Sequence, residues 1–132
     1  MNYLAHFALA GPETGLLVGG FLGDYIKGRL ENRFSPEIER GIRLHRAIDQ
    51  YTDSHPVVRN SYKRFDPKFR RYAGIITDIA FDHLLAQNWR RYYSEPLESY
   101  SASTLEKLLA HKDVLTDAAF QSASRMQEHN SL

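Results

Sequence analysis

Apolar residues along the chain recur at the three- and four-residue spacing of a helix, whereas strand-like alternation never persists beyond a few positions. A Ser-Pro-Glu run at 35–37 supplies an N-cap, a first-turn proline and an acid, which predicts a helix from Pro36 to about Thr52. A second, long helix is predicted from Lys68 to about Tyr93. The pattern therefore favours an all-α fold, a compact bundle of several helices.

Two shorter helices are predicted near the end of the chain. The run Ser103–Glu106 has the form of a capping box, which indicates the start of a short helix. Asp113 or Thr116 is the predicted start of the last helix, which we expect to run through Arg125.

A glycine-rich apolar segment from Thr14 to Lys27 is also predicted to be helical. Each glycine costs about 1 kcal/mol in a helix interior, which argues against a helix. However, Gly15, Gly19 and Gly23 are four residues apart and share one face. We therefore predict a helix whose glycine face lets a neighbouring helix approach closely.

Ionisable side chains interrupt the apolar face of the helix that begins at Pro36. Its inward stripe starts with Ile38 and Ile42 and continues with His45 and Asp49. Burying a carboxylate without a partner is costly, so we expect Asp49 to be paired or bound to a cation.

The long helix carries a similar interruption. Asp78 and Asp82 lie one turn apart, with His83 beside them, on faces otherwise built from isoleucine, leucine and tryptophan. We expect all three to point inward. Side chains four residues apart on a helix are close enough to share one ion.

His6 and Asp24 are two further ionisable residues in apolar surroundings. Imidazole with carboxylate is a ligand set suited to Mn²⁺, Fe²⁺ or Zn²⁺. Two interpretations stay open from the residues alone. These groups form a metal or acid–base site, or each is neutralised separately, as Asp49 would be by Arg43 or Arg46.

Composition narrows the class of protein. The chain has 132 residues, which fits one domain spanning 1–132, and 42% of them are hydrophobic, as in a folded globule. The absence of cysteine excludes disulfides, thiolate nucleophiles and Cys-ligated zinc, and it fits a cytoplasmic protein. The apolar runs are too short for a membrane span, so no membrane partner is predicted.

Positive charge is concentrated in residues 59–92, which hold eight basic and three acidic side chains, a net charge of +5. The block is either a solvated helix face or a surface for an acidic partner. Four aromatic residues lie among these cations. Their near-helical spacing favours a place in the core over stacking on RNA, so no nucleic-acid partner is predicted. They are Tyr62, Phe65, Phe69 and Tyr72.

Four blocks of sequence, taken together, resemble the acyl carrier protein phosphodiesterases. They are MNYLAH at 1–6, GFLGDY at 20–25, GIRLHRAID at 41–49 with Thr-Asp at 52–53, and DIAFDH at 78–83. The resemblance extends to about residue 93. It implies an all-helical fold like that of the HD phosphohydrolases and a divalent metal, typically Mn²⁺. The implied activity is hydrolysis of holo-acyl carrier protein to apo-carrier protein and 4′-phosphopantetheine.

The resemblance also implies roles for particular residues. The expected metal ligands are Asp24, His45, Asp78 and Asp82. The residues expected to orient ligands or move protons are His6, Asp49 and His83. No residue is assigned to an organic cofactor. Because acyl carrier proteins are acidic, the basic block is expected to bind the carrier protein. The residues expected to do so are Arg59, Lys63, Arg64, Lys68, Arg70 and Arg71.

The chain departs from the family pattern after about Tyr93, since family members continue for several more helices. The departure predicts an exposed apolar face, dimerisation through that face, or loss of activity. Two alternatives to the phosphodiesterase therefore stand: a shortened, inactive binder of acyl carrier protein, and a phosphohydrolase of the same metal type acting on a small nucleotide.

Overall fold

The computed structural model describes residues 1–131, and over that range the chain forms seven α-helices and no β-strand. The all-α prediction is confirmed. Two 3-10 turns, Pro67–Tyr72 and Trp89–Arg91, flank the fifth helix. The helices are α1 (Tyr3–Ala10), α2 (Thr14–Leu22), α3 (Pro36–Ser54), α4 (Pro56–Lys63), α5 (Ala73–Gln87), α6 (Leu97–Ala110) and α7 (Asp117–Glu128).

Two predicted helix starts are confirmed by side-chain caps. The Ser35 hydroxyl accepts a hydrogen bond from the Ile38 amide at 3.4 Å, at the start of α3. The Thr116 hydroxyl accepts one from the Ala119 amide at 3.1 Å, at the start of α7. Each cap satisfies an amide that has no partner within its own helix.

Three predicted boundaries are wrong. The helix predicted from Thr14 to Lys27 ends at Leu22. The capping-box run Ser103–Glu106 lies inside α6, which already begins at Leu97 directly after Pro96. Thr104 is buried there, because α6 turns this part of its surface towards the core. The long helix predicted from 68 to 93 is divided by the two 3-10 turns, so only 15 of its residues form α5. Helices α1 and α4 have no counterpart among the predicted helices.

The glycine face of α2 packs directly on α3, as predicted. A Cβ atom on Gly19 would collide with the Ile38 carbonyl oxygen and lie 2.7 Å from the Gly41 Cα. A Cβ on Gly41 would lie 2.7 Å from the Leu16 carbonyl oxygen. The two backbones therefore touch, and no residue larger than glycine fits at their crossing. This close packing places the end of α2 beside the inward face of α3.

The hydrophobic core lies mainly between α1, α2, α3, α6 and α7. Its largest fully buried side chains include Phe7, Phe21, Leu22, Ile42 and Leu108. None of the helices in residues 1–131 is long and apolar enough to span a bilayer.

Helix α5 contributes less to the core than its sequence predicts. Its buried residues are Ala73, Thr77 and Asp82, on the side that faces α1 and α4. The isoleucines predicted to face inward are largely exposed, at 64% for Ile75 and 56% for Ile79. The expected exposed apolar face is thus present on this helix.

The prediction of an inward His83 is also wrong, because its side chain is exposed. Of the four aromatics predicted for the core, Tyr62 and Phe65 are half-buried, whereas Phe69 and Tyr72 are about half exposed. Both corrections have the same cause: α5 and the turn before it have neighbours on one side only, and helical spacing does not tell which side is covered.

Candidate metal centre

His45, on α3, lies at the centre of the candidate site and is 3% exposed. Its Nδ1 is 2.7 Å from the Gly20 carbonyl oxygen. Because a carbonyl only accepts, Nδ1 carries the hydrogen and donates it. Nε2 therefore points the other way, to Asp24 Oδ1 and Asp49 Oδ2, each at 3.3 Å. A backbone carbonyl that orients an imidazole in this way is typical of metal-binding histidines.

The surroundings of Nε2 favour a positive charge there. Burial by itself lowers the pKa of His45, but the hydrogen bonds with Asp24 and Asp49 outweigh it and raise the pKa to about 9. Either a proton or a metal cation at Nε2 satisfies the two carboxylates. Metal binding at such a position releases the proton.

Asp49 lies one turn after His45 and joins the two histidines of the site. Its Oδ1 is 3.0 Å from Nε2 of His6, and its Oδ2 faces His45. Burial tends to raise the pKa of Asp49, but hydrogen bonds with His45, His6 and the amino group of Met1 hold it well below the usual range. The carboxylate is therefore charged and acceptor-only, as a metal ligand must be.

His6, from α1, is 2% exposed and stacks on His45, with ring centroids 3.7 Å apart and planes 11° from parallel. Its Nδ1 is the one fully buried side-chain polar atom without a hydrogen-bond partner among residues 1–131. Buried polar atoms are rarely left unpaired, so this one indicates a group that the protein atoms do not supply.

His6, His45 and Asp49 thus form a candidate metal-binding triad. One ligand atom from each lies within 4.8 Å of the others. Two imidazole nitrogens and a carboxylate oxygen fit a first-row divalent cation. Of the described residues, these three alone meet the criterion of three close ligand atoms.

Two of the other predicted ligands lie at the margin of the triad. Asp24 contacts His45 and is 45% exposed, so it reaches solvent at the end of α2. Asp78, on α5, lies 3.3 Å from the amino group of Met1, which is also 3.1 Å from Asp49 Oδ1. Asp49 and Asp78 therefore face a common point from two different helices.

Asp82, on α5, contacts the first turn of α1. Its two carboxylate oxygens accept the Leu4 amide at 2.8 Å and the Ala5 amide at 3.0 Å. These are first-turn amides of α1, which have no partner within the helix. Burial raises the pKa of Asp82, while the two amide hydrogen bonds oppose that shift. In this structure Asp82 anchors α1, the helix that carries His6.

His83, whose side chain is exposed, lies apart from the triad. It lines a separate cavity of about 720 Å³ between α1, α5, α6 and α7, together with Asp82. The predicted roles of Asp82 and His83 stay predictions, since neither residue belongs to the group of three close ligands.

The alternative interpretation, in which arginines neutralise Asp49, does not agree with the structure. Asp49 pairs with histidines and an amino group, while Arg43 pairs with the buried Glu39 at 3.4 Å. Arg46 donates instead to the Ile26 carbonyl at 3.2 Å. Asp49 is therefore held by groups that also bind metals, or by the chain's own amine.

Gly23 leaves the space that the His45 ring occupies. The four-residue spacing of the glycines predicted a close contact here but not its partner. The glycine face predicted a close neighbour, but the neighbour at this position is the His45 ring itself. A Cβ on Gly23 would collide with Cγ of that ring and lie 2.6 Å from the His45 Cβ. Beyond Gly23, an open cavity of about 260 Å³ leads from the surface to His45 and Asp49.

Comparison with known proteins shows that the whole chain is similar to one protein family. The model of the family described as "Acyl carrier protein phosphodiesterase" matches residues 1–132, so the similarity continues past residue 93, the expected limit of the resemblance. The chain is 36% identical over 122 residues to the "Acyl carrier protein phosphodiesterase" of Yersinia enterocolitica, covering 92% of this chain and 63% of that protein. The protein of the same name from Pectobacterium atrosepticum is 38% identical over 101 residues, covering 76% of this chain and 52% of its own length.

The third relative, from Photorhabdus laumondii and also named "Acyl carrier protein phosphodiesterase", is 40% identical over 89 residues, 67% of this chain and 45% of that protein. The chain thus spans about half to two-thirds of the length of these curated relatives. No solved structure matches the chain.

Proposed function

The chain belongs to the acyl carrier protein phosphodiesterase family, and from that premise we propose that it hydrolyses the phosphodiester of holo-acyl carrier protein. The bond cleaved joins 4′-phosphopantetheine to a serine of the carrier protein. The observation that carries the proposal is the triad His6, His45 and Asp49, whose ligand atoms lie within 4.8 Å of one another. All three residues are positions of the motifs that resemble the family.

We expect the triad to hold one divalent cation, with Mn²⁺ favoured by the resemblance. The donor set and the orientation of His45 by Gly20 support this fit. A bound divalent cation lowers the pKa of a water molecule and neutralises charge on a phosphoryl oxygen.

The remaining carboxylates then have separate tasks in the proposal. Asp24 is exposed at the mouth of the site and completes the ligand set beside His45. Asp78 shares the Met1 amino group with Asp49, which brings it near the triad, and it is the candidate to accept the proton of the attacking water. Asp82 maintains the position of His6 by holding the first turn of α1.

The activity is tested by incubating purified protein with holo-acyl carrier protein and following 4′-phosphopantetheine release by mass spectrometry. We expect release with Mn²⁺, loss of release with a chelator, and recovery when Mn²⁺ is added back, because the proposed chemistry needs a cation to activate the attacking water. Mononucleotides and cyclic nucleotides, assayed in parallel, test the small-nucleotide alternative. Intact holo-carrier protein after exposure to the metal-loaded protein would contradict the proposed activity.

The carrier protein is expected to bind across the basic block that precedes α5. The side chains of Arg59, Lys63, Arg64, Lys68, Arg70 and Arg71 are all exposed. In the described part of the chain, none of the six lies within 4.0 Å of a carboxylate oxygen.

Apolar groups lie among these cations. Lys68 lies over the ring of Phe69, 5.0 Å from its centroid, and Arg71 over Tyr72 at 5.1 Å. Exposed Ile75 continues the apolar surface on α5. A surface that combines free positive charge with exposed apolar groups suits an acidic helical protein, since charge directs the encounter and apolar contact retains the partner.

Reversing two of these charges is expected to weaken carrier binding without unfolding the protein. The double variant Arg70→Glu, Arg71→Glu changes the net charge of the block by four units. We expect KM for holo-carrier protein to rise roughly tenfold or more at low salt, and the difference to shrink as salt increases.

Arg125→Glu, Lys112→Glu is the matched control, since these two exposed cations belong to α7 and the turn before it and not to the basic block. Equal KM values for both double variants would contradict the assignment of this surface. Tight, salt-sensitive binding with no release of 4′-phosphopantetheine would instead support the shortened, inactive binder, the alternative that the exposed surface also fits.

A further inference from the structure

The cavity of about 260 Å³ beside His45 and Asp49 is lined by two cationic residues. Its ionisable lining residues are the buried His45, the half-buried Asp49 and Arg46, and the exposed Lys27. Gly23, Ile26 and Gly28 complete the lining. Two cationic residues that line one cavity beside the Asp49 carboxylate suit an anionic ligand.

Arg46 is tied by one hydrogen bond to the loop that follows α2. Its Nη2 donates to the Ile26 carbonyl at 3.2 Å, and the side chain is half-buried. Guanidinium has five N–H donors, so most of them stay available to the cavity. Lys27 approaches from the loop after α2 and is exposed.

Neither cation is neutralised by the protein. In the described residues, no carboxylate oxygen lies within 4.0 Å of the charged nitrogens of Lys27 or Arg46. This contrasts with Arg43, one turn before Arg46 on the same helix, which pairs with Glu39. The position of Lys27 is set by Gly28, whose φ of 75° turns the loop sharply beside the cavity.

We infer that Lys27 and Arg46 form a phosphoryl-anion subsite beside the candidate metal centre. The inference rests on the proposed function and deepens it, because it assigns the group that these cations recognise. Planar guanidinium binds two oxygens of a phosphoryl group in parallel, while the lysine ammonium supplies a point charge. Bound there, a phosphodiester has its phosphorus next to the triad, and the two positive charges offset repulsion from Asp24 and Asp49.

The test compares binding of 4′-phosphopantetheine and pantetheine, which differ only in the phosphoryl group. Isothermal titration calorimetry on the Mn²⁺-loaded parent is expected to detect the former and not the latter. We expect Arg46→Gln and Lys27→Gln each to weaken 4′-phosphopantetheine binding roughly tenfold or more, with Mn²⁺ content unchanged. Lys27→Arg is expected to keep near-parent affinity.

Arg40→Gln is the matched control, since it removes one exposed cation from the same helix as Arg46 but away from the cavity. Because Lys27 is exposed, its variant stays informative even if Arg46→Gln unfolds the protein. Parent-like binding by Lys27→Gln, equal affinity for the two ligands, or no binding of 4′-phosphopantetheine at millimolar concentration would each overturn the inference. Binding is measured without turnover, so a protein that binds the phosphoryl group and hydrolyses nothing would contradict the proposed function alone.

Discussion

A His45→Ala protein is expected to lose divalent-metal binding and, with it, the release of 4′-phosphopantetheine. His45 is the residue whose imidazole contacts Asp24 and Asp49 while its other nitrogen is held by Gly20. Losing a residue that only orients a ligand lowers metal affinity by about 10–100-fold, so losing a ligand itself is expected to cost at least the larger factor. Mn²⁺ titration followed by calorimetry, with metal content by mass spectrometry, measures the effect.

Two other variants separate metal binding from structural support. His129→Ala removes an exposed histidine after α7 and is expected to change neither metal binding nor activity. Asp82→Asn leaves the triad intact but weakens the hold on the Leu4 and Ala5 amides. We expect it to lower the unfolding temperature more than the Mn²⁺ affinity measured on the folded protein. Unchanged Mn²⁺ binding in His45→Ala would refute the assignment of the metal centre.

Among the Gly→Ala substitutions, Gly19→Ala is expected to lower the stability of the protein most. The added Cβ would collide with the Ile38 carbonyl oxygen and crowd the Gly41 Cα, and both atoms belong to the backbone of α3. Because a backbone cannot rotate away as a side chain can, α2 and α3 must move apart and loosen the core around them. We expect a loss of about 3 kcal/mol in the free energy of unfolding, which corresponds to roughly 10 °C in the unfolding temperature.

Gly20→Ala is the matched control, since the two glycines are adjacent and both are buried in α2. A Cβ on Gly20 would meet only the Ala10 Cβ, at an ordinary 3.7 Å. The higher helix propensity of alanine then favours a gain of up to about 1 kcal/mol. Thermal and urea unfolding followed by circular dichroism distinguish the two outcomes. Equal stability of the two variants would mean that the α2–α3 contact is looser than the structure describes.

The helices that sequence predicts well are those with a local signal at their ends. Ser35 and Thr116 cap their helices within three residues, so the information needed is contained in a few adjacent positions. The run Ser103–Glu106 carries an equally local signal, but α6 continues through it because Leu105 and Leu108 pack into the core. Tertiary burial outweighs a local capping preference of about 1 kcal/mol.

The site residues also divide into those that a local pattern predicts and those that depend on tertiary packing. The stripe through His45 and Asp49 was predictable, because helical spacing and the cost of burying charge both act within one helix. The residues on other helices that contact this stripe were not predictable. Asp82 and Asp49 have similar patterns around them, yet one carboxylate holds two amides of α1 and the other joins two histidines. The difference depends on which helix packs opposite each carboxylate.

Sequence by itself determined the helical class, the family, the glycine face and the set of ionisable residues among which the centre is found, because periodicity, composition and motifs are properties of neighbouring positions. Only the tertiary structure selected His6, His45 and Asp49 from that set, left one side of α5 uncovered, and brought Lys27 and Arg46 to a common cavity. Those outcomes depend on the packing of helices that are distant in the chain. The backbone contact between Gly19 and Gly41 largely sets the packing of α2 on α3. The spacing of residues within one helix does not predict which residue of another helix it will contact.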